Sequence, residues 1–191
     1  MRKTILGLMA AASATGTAHA EGVRAEAHIG FDALDRRGAS SSEDGFGGIG
    51  LGYDFSINDK TFIGVEVNID ESNIKNDIGP APQGTVITLK ANRDINVNAR
   101  VGTSIGASGK TKVYVLGGYT NLRAKLTATI TPPTGAVTRI TDAANADGYR
   151  VGLGIERNIG KRTYAKVEYR YSNYEGGFTR NQGLVGIGIR F

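Results

Sequence analysis

From residue 22 onward the chain alternates apolar and polar positions with a period of two, the pattern of a strand whose two faces meet different surroundings. Val23, Ala25, Ala27, Ile29 and Phe31 alternate with Arg24, Glu26, His28 and Gly30. Ile49, Leu51, Tyr53 and Phe55 alternate with glycines and Asp54, and Ile63, Val65, Val67 and Ile69 with Gly64, Glu66, Asn68 and Asp70. The device recurs at 95–102 and 149–156, at Ala165 to Tyr171 against Lys166, Glu168 and Arg170, and at Val185, Ile187, Ile189 and Phe191 against Gly186, Gly188 and Arg190. Lys112 to Thr120 is apolar on both faces and reads as a strand of unassigned phase. Eight strands follow, near 23–34, 45–57, 61–73, 87–105, 111–129, 137–158, 163–174 and 181–191, and no segment shows a helical period. Tight turns rich in turn formers lie at 58–60, 107–110 and 159–162. Longer polar connections lie near 35–44, 74–86, 130–136 and 175–180, with a two-stranded ribbon expected around Pro132 and Pro133 and a similar tip at Pro80 and Pro82.

Consecutive antiparallel strands, with short turns at one end and long loops at the other, predict an all-β fold: an eight-stranded antiparallel up-and-down transmembrane β-barrel. A soluble lipocalin-like barrel uses the same alternation with the faces exchanged. Three features favour the membrane. Glycines sit beside long charged residues on the polar face, which suits a crowded lumen, since eight strands enclose little more than their side chains. The apolar faces carry no charge, and one there costs about 2–4 kcal/mol at the bilayer midplane. Phe31, Tyr119, Tyr149 and Tyr171 fall toward the long-loop end and Tyr53, Phe55 and Phe191 toward the short-turn end, as interfacial girdles do.

The first twenty residues are different. Arg2 and Lys3 precede an apolar, alanine-rich stretch too short to span a bilayer, and Ala18 and Ala20 flank a cleavage site, the layout of a secretory signal peptide. Residues 1–20 are the expected leader and 21–191 the barrel domain. The formal charge of +5 includes two basic leader residues, so the remainder gives no argument for nucleic acid. With no cysteine, disulfides and thiolate metal sites are excluded. The 28 glycines weaken any helical alternative.

The terminal strand, Gly183 to Phe191 ending on an aromatic residue, resembles the last strand of outer-membrane proteins. The whole stretch from 22 to 191, with segments such as Ala27–Phe31, Gly52–Phe55 and Val167–Tyr169, is similar to the OmpA-like and opacity-type family of small porin-like outer-membrane β-barrels. The resemblance implies a cell outer membrane location and a terminal strand (Val185, Ile187, Ile189, Phe191) read by the barrel-assembly machinery. The chain shows no peptidoglycan-binding domain after the barrel, so a wall-tethering role is not expected.

The alternation turns Arg24, Glu26, His28, Asp54, Glu66, Arg100, Arg150, Glu156, Lys166, Glu168, Arg170 and Arg190 into the lumen together with Asp70, with Glu66, Arg100 and Glu168 expected as the central pairing. Buried charges must be paired, so a closed plug of salt bridges is favoured over a narrow ion path. His28 falls on the inward face without a recognisable serine motif, which leaves no catalytic residue to name. Gly45 to Gly50 matches G-x-G-x-x-G literally, but a loop precedes it and strand alternation follows, so it is read as coincidence. The acidic stretch at 70–73 with Asp77 lacks an ordered calcium-ligand pattern. Arg36, Arg37, Arg123, Lys125 and Arg139 are placed to touch lipopolysaccharide phosphates, though a solvated charge run is the simpler reading. The expected protein is therefore a non-enzymatic, cofactor-free and metal-free monomeric barrel. Its partners are outer-membrane lipids and lipopolysaccharide, with an external ligand held by the loops. A small-solute pore is the second reading and a lipid-modifying enzyme a weaker third.

Overall fold

The computed structural model describes residues 22–36, 42–72, 75–77, 85–130 and 137–191. The expected leader with Ala18 and Ala20, Arg37, and the tips at Pro80, Pro82 and 132–135 lie outside the described residues. The elements are β1 (Gly22–Arg36), β2 (Ser42–Ser56), β3 (Thr61–Ser72), β4 (Lys75–Asp77), β5 (Thr85–Ile105), β6 (Thr111–Ile130), β7 (Thr138–Asn158), β8 (Thr163–Tyr174) and β9 (Phe178–Arg190). Every pairing is antiparallel between chain neighbours, apart from β1 with β9 and β3 with β5, and together they close the eight long strands into a barrel. The short β4 continues the line of β3 along the outer part of β5.

Two expected connections are shorter than the sequence suggested. β1 reaches Arg36 and β2 starts at Ser42, so strand replaces half of 35–44. The 175–180 connection is only the turn Glu175-Gly176-Gly177, because both glycines adopt left-handed φ values of 83° and 77° that reverse the chain at once.

The register fixes the barrel's geometry. A hydrogen-bonded row leaving β1 at Arg24 runs through Gly52, Glu66, Asn98, Gly118, Arg150, Ser172 and Arg180, and returns to β1 at Leu34, ten residues further along. Such a stagger over eight strands tilts them by about 40° and leaves a lumen that side chains fill. β6 acquires its phase from these pairings. Lys112, Tyr114, Leu116, Thr120 and Leu122 are buried, whereas Val115 and Tyr119 are exposed on the outer face.

One irregularity interrupts the ladder of β5 and β6. On β5, Ala91 pairs with Ala124 and Arg93 with Arg123, leaving Asn92 as the extra residue of a β-bulge. On the other edge of β5 Glu71 pairs with Arg93 and Lys75 with Lys90, an offset of one residue in the opposite sense. Beyond the last β7–β8 pair, Gly148 with Tyr174, the sheet of β4, β5, β6 and β7 continues alone among the described residues. The eleven residues from Thr138 to Gly148 carry it about 35 Å along the strand.

Candidate functional site

The outer face is the apolar one. Ile29, Leu51, Val65, Val97, Val115, Leu153, Val167 and Ile187 are all about half exposed or more, and Phe31 is 82% exposed. Val185, Ile187, Ile189 and Phe191 of the expected assembly strand lie on this face, and the Phe191 amide closes the seam by donating to the Val23 carbonyl at 2.9 Å. An apolar exterior around a polar, buried interior inverts the soluble arrangement and matches a barrel solvated by lipid.

The interior is a continuous chain of alternating charge. From the long-loop end, Asp32 accepts from Arg180, Arg180 reaches Asp94 at 2.8 Å, Arg150 joins Asp94 at 2.6 Å to Asp70 at 3.4 Å, and Arg170 joins Asp70 at 3.2 Å to Glu168. Lys166 then bridges Glu168 at 3.2 Å and Glu26 at 2.5 Å. Arg24 gathers Glu26 at 2.9 Å, Glu66 at 2.5 Å and Asp54 at 3.4 Å. Arg100 links Asp54 to Glu156 at 3.2 Å, and Lys112 and Arg190 complete the chain on Glu156. Eight carboxylates meet eight cations, so the network is balanced among the described residues. Each partner offsets desolvation that would otherwise cost several kcal/mol per ion.

Glycine makes these bridges possible. Gly52 stands in register between Arg24 and Glu66, Gly48 between His28 and Asp70, Gly64 between Asp54 and Arg100, Gly188 between Glu26 and Tyr164, and Gly154 between Tyr114 and Glu168. In each case the two long side chains bond across the glycine. A Cβ at Gly52 would stand 2.8 Å from the Arg24 guanidinium carbon and 2.8 Å from the Val65 carbonyl oxygen. The inward glycines are therefore troughs through which the ion pairs run.

This explains why the expected central pairing of Glu66, Arg100 and Glu168 does not form. Arg100 stands opposite Gly64, not Glu66, and passes over that glycine to Asp54, while Glu66 is taken by Arg24 and Glu168 by Arg170 and Lys166. Equal depth along separate strands does not bring side chains together in a barrel with this stagger. The remaining inward residues expected from alternation, Arg24, Glu26, His28, Asp54, Arg150, Glu156, Lys166, Arg170 and Asp70, are buried, and Arg190 is half-buried at the short-turn end.

Several lumen residues escaped the sequence reading. Asp32 and Asp94 extend the alternation of β1 and β5 by one or more steps and were legible there. Lys112 sits on the strand that had no phase, and Arg180 fell in a presumed loop. Tyr114, Tyr164 and Tyr174 turn inward, and their hydroxyls donate to Glu168, Glu26 and Asp94.

His28 is held by Asp70, whose Oδ1 is 2.7 Å from Nε2, with Glu26 at 3.8 Å from Nδ1 and the Phe46 ring edge-on at 6.1 Å. It faces the lumen, away from the lipid boundary where a lipid-modifying histidine would work. Asp70 is committed to His28, Arg150, Arg170 and Asn96, which removes it from the acidic calcium-like stretch. Gly45 to Gly50 lies wholly in strand β2.

Both ends of the polar core are stoppered. At the long-loop end Leu34, Leu122 and Tyr174 cluster with Ala146 and Phe178. At the short-turn end Phe62, Tyr114 and Leu116 form a second cluster. There the Arg100 guanidinium lies 4.9 Å from the Phe62 ring centre and 4.8 Å from that of Tyr114, and Arg190 covers Tyr164 at 4.2 Å.

Known structures share this architecture. The attachment invasion locus protein Ail of Yersinia pestis superposes with a TM-score of 0.59 at 16% identity, covering 90% of this chain and 99% of that one. Neisserial surface protein A gives 0.58 at 16% identity, with 89% and 97% covered. OprG of Pseudomonas aeruginosa gives 0.57 at 12% identity, with 92% and 99% covered. No curated protein sequence matches the chain. Residues 4–191 match the family model described as the outer membrane protein beta-barrel domain. An inside-out barrel filled by its own ion pairs, with that match over nearly its whole length, places this chain in the outer membrane β-barrel family.

Proposed function

We propose that this protein is a sealed, non-enzymatic outer-membrane barrel that serves as a rigid base for an external interaction surface, with its long-loop end facing out. The observation that carries the reading is the lumen: a balanced ion-pair chain packed over glycine troughs and stoppered by apolar clusters at both ends. Arg150, Arg170 and Arg180 are 0% exposed, so a conducting path would require dismantling their pairs. Residues 1–20 serve as the cleaved leader and the outward row ending at Phe191 as the assembly signal.

The external element is the ribbon of β5, β6 and β7. Beyond Gly148 one side of β7 has no neighbouring strand among the described residues, and residues 138–145 are exposed on both faces. An unpaired edge of this kind adds an extended segment of another chain through main-chain hydrogen bonds. Ail has been solved with the heparin analogue sucrose octasulfate, a precedent for an external ligand on a barrel of this fold.

The test is conductance of the refolded protein in a planar bilayer. No current steps above the lipid baseline are expected. Discrete openings would replace the sealed base with a pore, the second reading.

A further inference from the structure

The outer face of the ribbon turns basic just past the aromatic positions. Tyr119 and Tyr149 pair in register, and two residues further out Asn121 pairs with Asp147. Next comes the row Glu71, Arg93, Arg123, Asn145, and then the row Lys75, Lys90, Lys125, Ala143. The Asn92 bulge brings this about. Were Asn92 paired in an unbroken register, the position across from Lys125 would be Ala91 and not Lys90.

The side chains of Arg93, Arg123 and Lys125 are exposed and form no ion pair among the described residues. Asp147, a nearby carboxylate, is occupied by the Tyr119 hydroxyl at 2.5 Å and the Asn121 amide at 2.5 Å. Glu71 is the other acid in these rows that the structure places beside them. Arg123 lies four residues beyond Tyr119, which with the strand tilt is about 10 Å above the ring. Long basic side chains at that height reach the headgroup layer.

We propose that Arg93, Arg123 and Lys125 form a docking surface for the phosphates of an outer-leaflet glycolipid of the lipid A type. The face decides the occupant. It continues the lipid-facing band of β5 and β6, so a soluble polyanion would have to enter between ribbon and bilayer, whereas a lipid phosphate is already there. Arg139 lies further out, across from Thr129, and takes no part. The proposal rests on reading the long-loop end as external, and a pore result would leave it untouched.

The refolded barrel in zwitterionic detergent is titrated with bisphosphorylated lipid A and with lipid A stripped of both phosphates. Saturable binding to the first is expected, with affinity falling roughly a hundredfold in R93Q/R123Q/K125Q. R157Q, an exposed position at the opposite end, should bind like wild type. Heat-modifiable gel migration verifies that each variant is folded. Equal binding of the dephosphorylated lipid, or unchanged binding by the triple variant, overturns the proposal. So does a triple variant that loses affinity for sucrose octasulfate alone, which would assign the patch to a soluble sulfated ligand.

Discussion

Replacing Gly48 by alanine should destabilise the barrel, while the same change at its neighbour Gly47 should not. Gly48 of β2 stands between His28 of β1 and Asp70 of β3. A Cβ there would lie 2.6 Å from His28 Nε2, 2.8 Å from the Ile69 carbonyl oxygen, and closer still to Asp70 Oδ1. The backbone carbonyl cannot retreat without disturbing the sheet. Asp70 has little freedom either, since Arg150, Arg170 and Asn96 also hold it. The methyl group must therefore wedge the His28–Asp70 contact apart. Overpacking costs about 1–3 kcal/mol, and loss of a buried charge-assisted bond about 1.5–3 kcal/mol, so a combined loss of about 3–5 kcal/mol is expected. At Gly47 the Cβ points outward and meets the His28 carbonyl oxygen at 3.6 Å and Ile29 Cγ2 at 3.7 Å, ordinary contacts. There alanine should be neutral or gain up to about 1 kcal/mol by narrowing the unfolded ensemble. Urea unfolding of protein refolded in lipid vesicles, scored by the heat-modifiable folded band, gives both shifts. Equal shifts, or a Gly48→Ala variant within about 0.5 kcal/mol of wild type, would refute the idea that inward glycines are bridge troughs.

Three further outcomes follow from the same geometry. Asp70→Asn removes the charge that compensates Arg150 and Arg170, and the same unfolding assay should show a loss of about 3–5 kcal/mol. Arg190→Ala removes the guanidinium over Tyr164 and its bonds to Asn158 and Glu156, at a cost of about 1–3 kcal/mol, and should leave the Gly183–Phe191 strand paired, as amide hydrogen exchange would show. Joining Leu122 to Ala146 by a short turn, which deletes the β6 and β7 parts of the ribbon beyond that pair, should keep heat-modifiable migration and change the unfolding free energy by less than about 1 kcal/mol, because the excised part of β7 is exposed on both faces.

Much of this was legible in the residues because a strand's two faces repeat every second position. The alternation of Arg24, Glu26 and His28 with Ala25, Ala27 and Ile29, repeated through most of the strands, sufficed for strand number and order. The inside-out arrangement also needed the charge-free apolar faces, the glycines beside long charged residues and the placing of the aromatics. Lys112 to Thr120 resisted, since an apolar residue inside the barrel and one facing lipid look alike in sequence. Leu116 and Tyr114 belong to the short-turn stopper, whereas Val115 faces outward. The 175–177 turn is shorter than the expected connection because Thr179 and Arg180, polar enough to pass for loop, belong to β9, where Arg180 is wholly buried on Asp32.

The chain by itself therefore determined, for the strands that alternate, which side chains share a face, since that depends only on parity along each strand. Which of them meet was decided by the tertiary structure, because partners are set by the ten-residue stagger around eight strands, a property of closure that no single strand carries. Glu66 thus bonds Arg24 across Gly52 and not the Arg100 that seemed level with it. Likewise the residue across from Lys125 is Lys90 only because Asn92 is left out of the register, and a bulge is visible only once the neighbouring strand is in place.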